Sequence, residues 1–176
     1  RAITSGSAES MFFARIGEVL ADIESLYDVV IIDCPPQLGF LTMSALCAAT
    51  SALITVHPQM LDVMSMSQFL AMTSEMMAVV ERAGGRTSYD WMRYLVTRYE
   101  PNDGPQSQMT GFMRAIFGNR MLQNHMLKST AISDAGVTKQ TLYEVERSQF
   151  TRGTYDRAME SLNAVNSEIE GLLRIT

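Results

Sequence analysis

Asp33 is the residue whose type and setting carry the most chemistry. It ends the run Tyr27-Asp28-Val29-Val30-Ile31-Ile32-Asp33, and Pro35 and Pro36 follow almost at once. Four consecutive β-branched apolar residues read as a strand buried on both faces. The prolines stop it, because neither can donate a ladder hydrogen bond. A carboxylate fixed at such a strand end can serve Mg2+, often through water, beside nucleotide phosphates. It can equally cap the turn that follows, and this run alone leaves both readings open. Cys34, its neighbour, reads as a small turn residue rather than a nucleophile.

Other chemistries have little support. His57 and His125 stand singly, and no Cys/His cluster has zinc-ligand spacing. The serines lack the glycine-flanked elbow of a hydrolase nucleophile. Cys34 and Cys47 make no disulfide framework, and a cysteine in a site-like turn fits a reducing cytoplasm. The net charge of −5 and only two lysines, Lys128 and Lys139, exclude a basic footprint over the whole domain. Arg114, Arg120 and Lys128 are the candidates for a local basic patch, against the plainer reading of a solvated surface.

Several elements must position these groups. Apolar spacing through Phe13, Ile16, Val19, Leu20, Ile23 and Leu26 predicts a helix over 8–26. A short helix is expected from Phe40 to Ala49, then a second buried strand over Ala52–Val56 that stops at His57-Pro58. Residues 60–82 read as a long helix with Phe69, Met72, Met76, Val79 and Val80 on one face, ended by Gly84-Gly85. Its methionines read as core filling rather than as a promiscuous groove. Tyr94–Thr97 is a third strand, and Pro101–Pro105 a loop. A helix over 107–117 ends at Gly118, and 119–150 hold a short strand near Met121-Leu122 within an irregular stretch. A final helix over about 154–173 starts at Thr154 as N-cap and buries Leu162, Val165, Ile169, Leu172 and Leu173.

Strands that alternate with helices predict an α/β fold: a mostly parallel sheet with helices on both faces, in three layers. Such sheets bind ligands at the carboxyl ends of their strands, where Asp33, His57 and Thr97-Arg98 fall. The 176 residues, 47% apolar, suffice for one domain over 1–176. No apolar stretch reads as long enough to cross a bilayer, and no secretory signal is visible. The chain starts at Arg1 and is expected to be a piece of a longer protein.

The run 27–39, with Asp33, a small residue, Pro35-Pro36 and Gly39, resembles the acidic-strand (Walker B) motif of the ParA/MinD family of deviant Walker ATPases. Ala52–Gln59 and Val96–Pro101 resemble that family's following strands and turns. Phe150–Arg157 and the helix after it are similar to the end of the RepA partition proteins of RepABC-type plasmids. The resemblance implies a P-loop NTPase fold and a plasmid-partition ATPase that uses ATP and Mg2+. It gives Asp33 the metal, through water, and gives Pro35, Pro36 and Gly39 a loop that senses the terminal phosphate. Thr97 stands where relatives often carry an asparagine for the base, a departure from that pattern, and Arg98 is the neighbouring candidate. The implied partners are a second copy in a homodimer, DNA, and a centromere-binding protein of the ParB/RepB class. Operator DNA would be bound through a region upstream of this chain. Arg114, Arg120 and Lys128 would meet nonspecific DNA phosphates. The expected location is the bacterial cytoplasm, on nucleoid or plasmid, with no membrane.

The family's Gly-rich, Lys-Thr/Ser phosphate loop is not in this sequence. Backbone amides and lysines of that loop cradle the phosphates, so negligible ATP affinity and no hydrolysis are expected of this chain by itself. Two other readings stay open. A MinD-like positioning ATPase should end in a basic amphipathic helix, whereas the last helix here carries Glu160, Glu168 and Glu170. A non-catalytic interaction scaffold is the other.

Overall fold

A computed structural model describes residues 14–35, 37–82, 84–85 and 87–174. Residues 14–21 are helical (α1). There follow α2 (Phe40–Ala48), β1 (Ser51–Val56), α3 (Met60–Arg82), β2 (Trp91–Val96), α4 (Gly104–Phe117), α5 (Thr130–Val137) and α6 (Arg152–Leu173). The fold is α/β. The strands β1 and β2 are hydrogen-bonded neighbours. They run parallel: the Asp90 amide donates to the Thr50 carbonyl at one end and the Thr97 amide to the Val56 carbonyl at the other. The chain forms two compact units, one of Arg1–Ala52 with Ser65–Met92, the other of Leu53–Met64 with Arg93–Thr176.

In the first unit, the expected strand over 27–33 is not formed. Tyr27 is extended, but no ladder is assigned through Asp33, and Ile31 is 89% exposed. The physical reason is pairing: β propensity alone does not make a strand, and among the described residues no strand lies beside this run to complete its hydrogen bonds. Ile16, Leu20 and Ile23 are half-buried on one side of the first helical stretch, as their spacing predicts, whereas Val19 and Leu26 are exposed. Phe13 and the stretch 8–12 lie outside the described residues.

The helix α3 has the predicted bounds, and its end is built as expected. The Gly84 amide donates to Glu81 and the Gly85 amide to Val80, with Gly84 at φ 82°. Its inward stripe is shifted from prediction. Met66 and Val80 are buried, Phe69, Leu70 and Met76 are half-buried, and Met72 and Val79 face outward. By length and composition α3 also meets the requirement for a bilayer span, contrary to the sequence expectation. Core helices of water-soluble domains meet the same requirement but are mostly buried, whereas only 11% of this window is; Ser65, Ser67, Gln68, Thr73, Ser74 and Glu75 interrupt its apolar surface.

The second unit holds the larger core. Leu95 of β2, Leu122 and Val165 of α6 are buried together, with Leu53 and Ile169 against them. A neighbouring cluster joins Ala131 and Ala135 of α5 to Leu142, Val145 and Ala158 of α6. The strand expected near Met121-Leu122 appears as two parallel bridges beside β2, Tyr94 with Met121 and Tyr99 with Leu127. α4 starts three residues before its predicted first residue, because Asp103 is its N-cap and accepts from the Gln106 amide. α6 starts at Arg152 rather than Thr154, with Thr151 as N-cap, and the Thr151 and Thr154 hydroxyls bond at 2.7 Å. α4 ends at Gly118, which takes φ 55°. A β-carbon would meet nothing within 4 Å there, so the cost of Gly118→Ala is purely conformational. Urea denaturation is expected to show a loss of about 1 kcal/mol.

Candidate functional site

The turn after Asp33 is ordered from the backbone outward. The Gln37 carbonyl accepts from the Gly39 amide at 3.0 Å and from the Thr42 hydroxyl at 2.6 Å. Gly39 is the N-cap of α2 and its carbonyl receives the Met43 amide. Thr42, Met43, Ser44 and Ala45 are buried, which anchors the start of α2 beneath the turn. Asp33 and Pro35 are exposed at its head; Pro36 lies outside the described residues. The Cys34 thiol is held above its ordinary pKa, by burial first and by the Asp33 charge second. A thiol held protonated is a poor nucleophile, in keeping with the reading of Cys34 as a turn residue.

As a metal ligand, Asp33 offers one exposed carboxylate, and no group of three or more His, Cys, Asp or Glu that could hold a metal occurs among the described residues. That donor set does not form a cage for a dehydrated cation. It fits Mg2+ that keeps its waters and takes its other ligands from phosphates, the usual arrangement at nucleotide sites.

In the second unit, His57 follows β1 and Thr97 follows β2, so both stand at carboxyl ends of the parallel pair. His57 Nδ1 lies 3.2 Å from an Asp62 carboxylate oxygen, at the start of α3. Thr97 is half-buried, whereas Arg98 is exposed and takes φ 53°, the left-handed region that costs a residue with a β-carbon about 1 kcal/mol. The Tyr99 amide then bonds the Met126 carbonyl, and the Lys128 amide bonds the Tyr99 carbonyl.

The loop beyond is braced by Gln106, only 2% exposed. Its amide oxygen accepts from the Glu100 amide at 3.0 Å, and its nitrogen donates to Asp103 at 3.2 Å and to Glu100 at 3.5 Å. Asp103-x-x-Gln106 before an apolar run has the form of a capping box, a start signal for α4 that the sequence carries. Pro58, Gln59 and Met60 face Asp103, Gln106, Met109 and Phe112 across a cleft of about 520 Å3. A second cleft of about 430 Å3 lies among Lys128, Ser129, Thr130, Thr151, Gly153, Thr154 and Arg157, at the first turns of α5 and α6.

The three candidate cations have different surroundings. Arg114 is turned inward: its guanidinium donates to the Leu122 carbonyl at 2.9 Å and to Gln123 at 3.4 Å, and lies 3.3 Å from His125 Nε2. It is therefore a strut of the 121–125 segment and not part of a free patch, because that segment would otherwise leave a carbonyl without a donor. Lys128 is paired with Glu100 at 2.8 Å, with both side chains about half exposed. Arg120 is exposed, close enough to Tyr94 for its charge to oppose the rise that burial gives the phenol.

His125 is held below its ordinary pKa by burial and then by the Arg114 charge, against a smaller opposite pull from Glu168. The folded chain thus favours the neutral ring, while the unfolded chain takes up a proton near pH 6.5. This stability is complete above that pH and is lost as pH falls through the lower folded pKa. Urea midpoints at about pH 7.5 and about pH 5 are expected to fall toward acid, and His125→Asn to flatten that slope.

An AAA-domain family model matches residues 6–82, a span that contains α1, the Asp33 turn, β1 and α3. With the parallel pair and its flanking helices, it defines an α/β domain of the P-loop NTPase type. The chain is 63% identical over 166 residues to a replication protein A of Rhizobium rhizogenes, covering 94% of this chain and 41% of that protein. It is 27% identical over 145 residues to protein SopA of Escherichia coli K12, covering 81% of this chain and 37% of SopA. A ParA family protein of Chlamydia muridarum is 25% identical over 164 residues, 92% of this chain and 62% of its own length. The chain belongs to the ParA family, on its replication-protein-A (RepA) branch. It spans about two fifths of the length of the first two relatives it matches, 41% and 40%.

Proposed function

We propose that this chain is the metal-side portion of a plasmid-partition ATPase. The reading is carried by one observation: a carboxylate, Asp33, exposed ahead of the hydrogen-bonded Gln37–Gly39 turn inside the span that matches the AAA domain. The kinship with SopA, with ParA proteins and with a chromosome-partitioning ATPase, Soj, of Treponema pallidum supports the partition role. In the complete protein, Asp33 serves hydrated Mg2+ at the phosphates of ATP, and the turn through Pro35, Pro36 and Gly39 reports the state of the terminal phosphate. Thr97 and Arg98 stand at the base end. Two subunits close on nucleotide, the closed homodimer holds DNA, and a ParB/RepB-type protein bound at the plasmid centromere promotes release. The cell compartment is the bacterial cytoplasm.

Nonspecific DNA is held through phosphates. Exposed Arg120, with Lys128 and Arg157 beside the second cleft, suits that role better than the inward-turned Arg114. The reading is tested by plasmid retention in dividing bacteria. The complete protein is expected to keep a low-copy plasmid that carries its partition site, and Asp33→Ala to let it be lost. Equal retention with Asp33→Ala would refute the assignment. Calorimetry on the 176-residue chain is expected to show no ATP binding, since the phosphate loop is not in its sequence.

A further inference from the structure

Six amides of the segment 122–128 divide into two sets. Those of Leu122, Met126 and Lys128 donate to the carbonyls of Tyr94, Val96 and Tyr99, on the β2 side. Those of Gln123, Asn124 and Leu127 are taken instead by side chains of α6. The Glu168 carboxylate accepts from the Gln123 amide at 2.7 Å, and from the Asn124 amide and side chain at 2.9 Å each. The Ser161 hydroxyl accepts from the Leu127 amide at 2.8 Å and donates to the His125 carbonyl at 3.0 Å. Ser161 is buried, and Glu168 is half-buried. Where a further strand would place alternating carbonyls and amides, the helix places a carboxylate and a hydroxyl seven residues apart, two turns along one face.

We propose that α6 is an edge cap: Glu168 and Ser161 stand in for a strand and keep the outer edge of 121–127 from pairing with another chain. An uncapped edge presents a row of unpaired backbone groups, a template for any extended segment. The segment available at every concentration is the same edge of a second copy. The charge on Glu168 makes its hydrogen bonds to the amides strong, and the bend at 123–124 lets one carboxylate serve two successive amides. The inference does not depend on nucleotide or DNA and stands apart from the proposed activity.

The test uses the whole chain with Glu168→Ala, Ser161→Ala and the double substitution, read by amide hydrogen exchange and by sedimentation over a range of concentrations. Exchange is expected to speed up about tenfold or more at Gln123 and Asn124 in the first variant and at Leu127 in the second. The amides of Leu122, Met126 and Lys128 should keep their protection. The double variant should self-associate more than the unsubstituted chain, increasingly with concentration. Glu168→Gln guards against outright unfolding: it keeps one acceptor oxygen, so protection should fall at one of the two amides it serves. Unchanged exchange at the amides bound by α6, equal loss in both sets, or a double variant that associates no more than the unsubstituted chain overturns the proposal.

Discussion

Asp33→Asn in the complete protein is expected to lower Mg2+-dependent ATP hydrolysis by about two to three orders of magnitude. The substitution keeps size and removes the charge. Metal-assisted charge stabilisation is worth several kcal/mol, and each ~1.4 kcal/mol is a factor of ten in rate. The surroundings make the variant a clean one. Asp33 is exposed, so no buried partner is stranded, and the turn is held by Gln37, Gly39 and Thr42 rather than by the carboxylate. Thermal stability of the 176-residue chain should therefore be unchanged, while turnover of the complete protein collapses. Steady-state hydrolysis over a Mg2+ titration checks this. A rate within about threefold of the unsubstituted protein would remove Asp33 from the metal site.

Leu122→Ala is expected to be the most damaging of these changes to stability. Leu122 is 2% exposed and packs with Leu95 and Val165, against Leu53 and Ile169. Truncation removes its transfer free energy and leaves a cavity between strand and helix residues that are themselves fixed. The loss is about 3 kcal/mol. In a chain of this size that corresponds to a drop in Tm of about 6–12 °C, measurable by calorimetry or circular dichroism. Leu122→Met should cost less than about 1.5 kcal/mol, because it conserves volume. A Leu122→Ala chain that melts within about 2 °C of the original would mean that this core is not what holds α6 to the sheet.

The sequence made the architecture legible where local signals agreed with one another. Ala52–Val56 ended by His57-Pro58, and 60–82 ended by Gly84-Gly85, carry period, length and stop signals together, and both elements form almost as predicted. It failed where a signal needed a neighbour. Val29–Ile32 has the composition of a buried strand, but strand formation depends on a paired edge, which the run itself cannot report. α5 was missed within 119–150 because it is eight residues long and buries only Ala131 and Ala135, too small a stripe to stand out. Its Ser129 N-cap, which accepts from the Ala131 amide, was the readable sign. The stop after Asp33 and the turn at Gln37–Gly39 were legible from residue types alone. The inward use of Arg114 was not, since a cation's partners depend on a carbonyl eight positions along the chain and on no local pattern. Glu168 and Ser161 were invisible for the same reason: their partners lie more than thirty residues away.

The braced loop at the tip of β2 has a consequence for encounter with a ligand. Gln106 reaches Glu100 and Asp103 from within, so residues 100–106 share one internal crosslink. Their conformational freedom is surrendered once, when the chain folds, and is not surrendered again on each arrival. A molecule that docks against this wall forfeits mainly its own motion, because the wall was ordered when the chain folded.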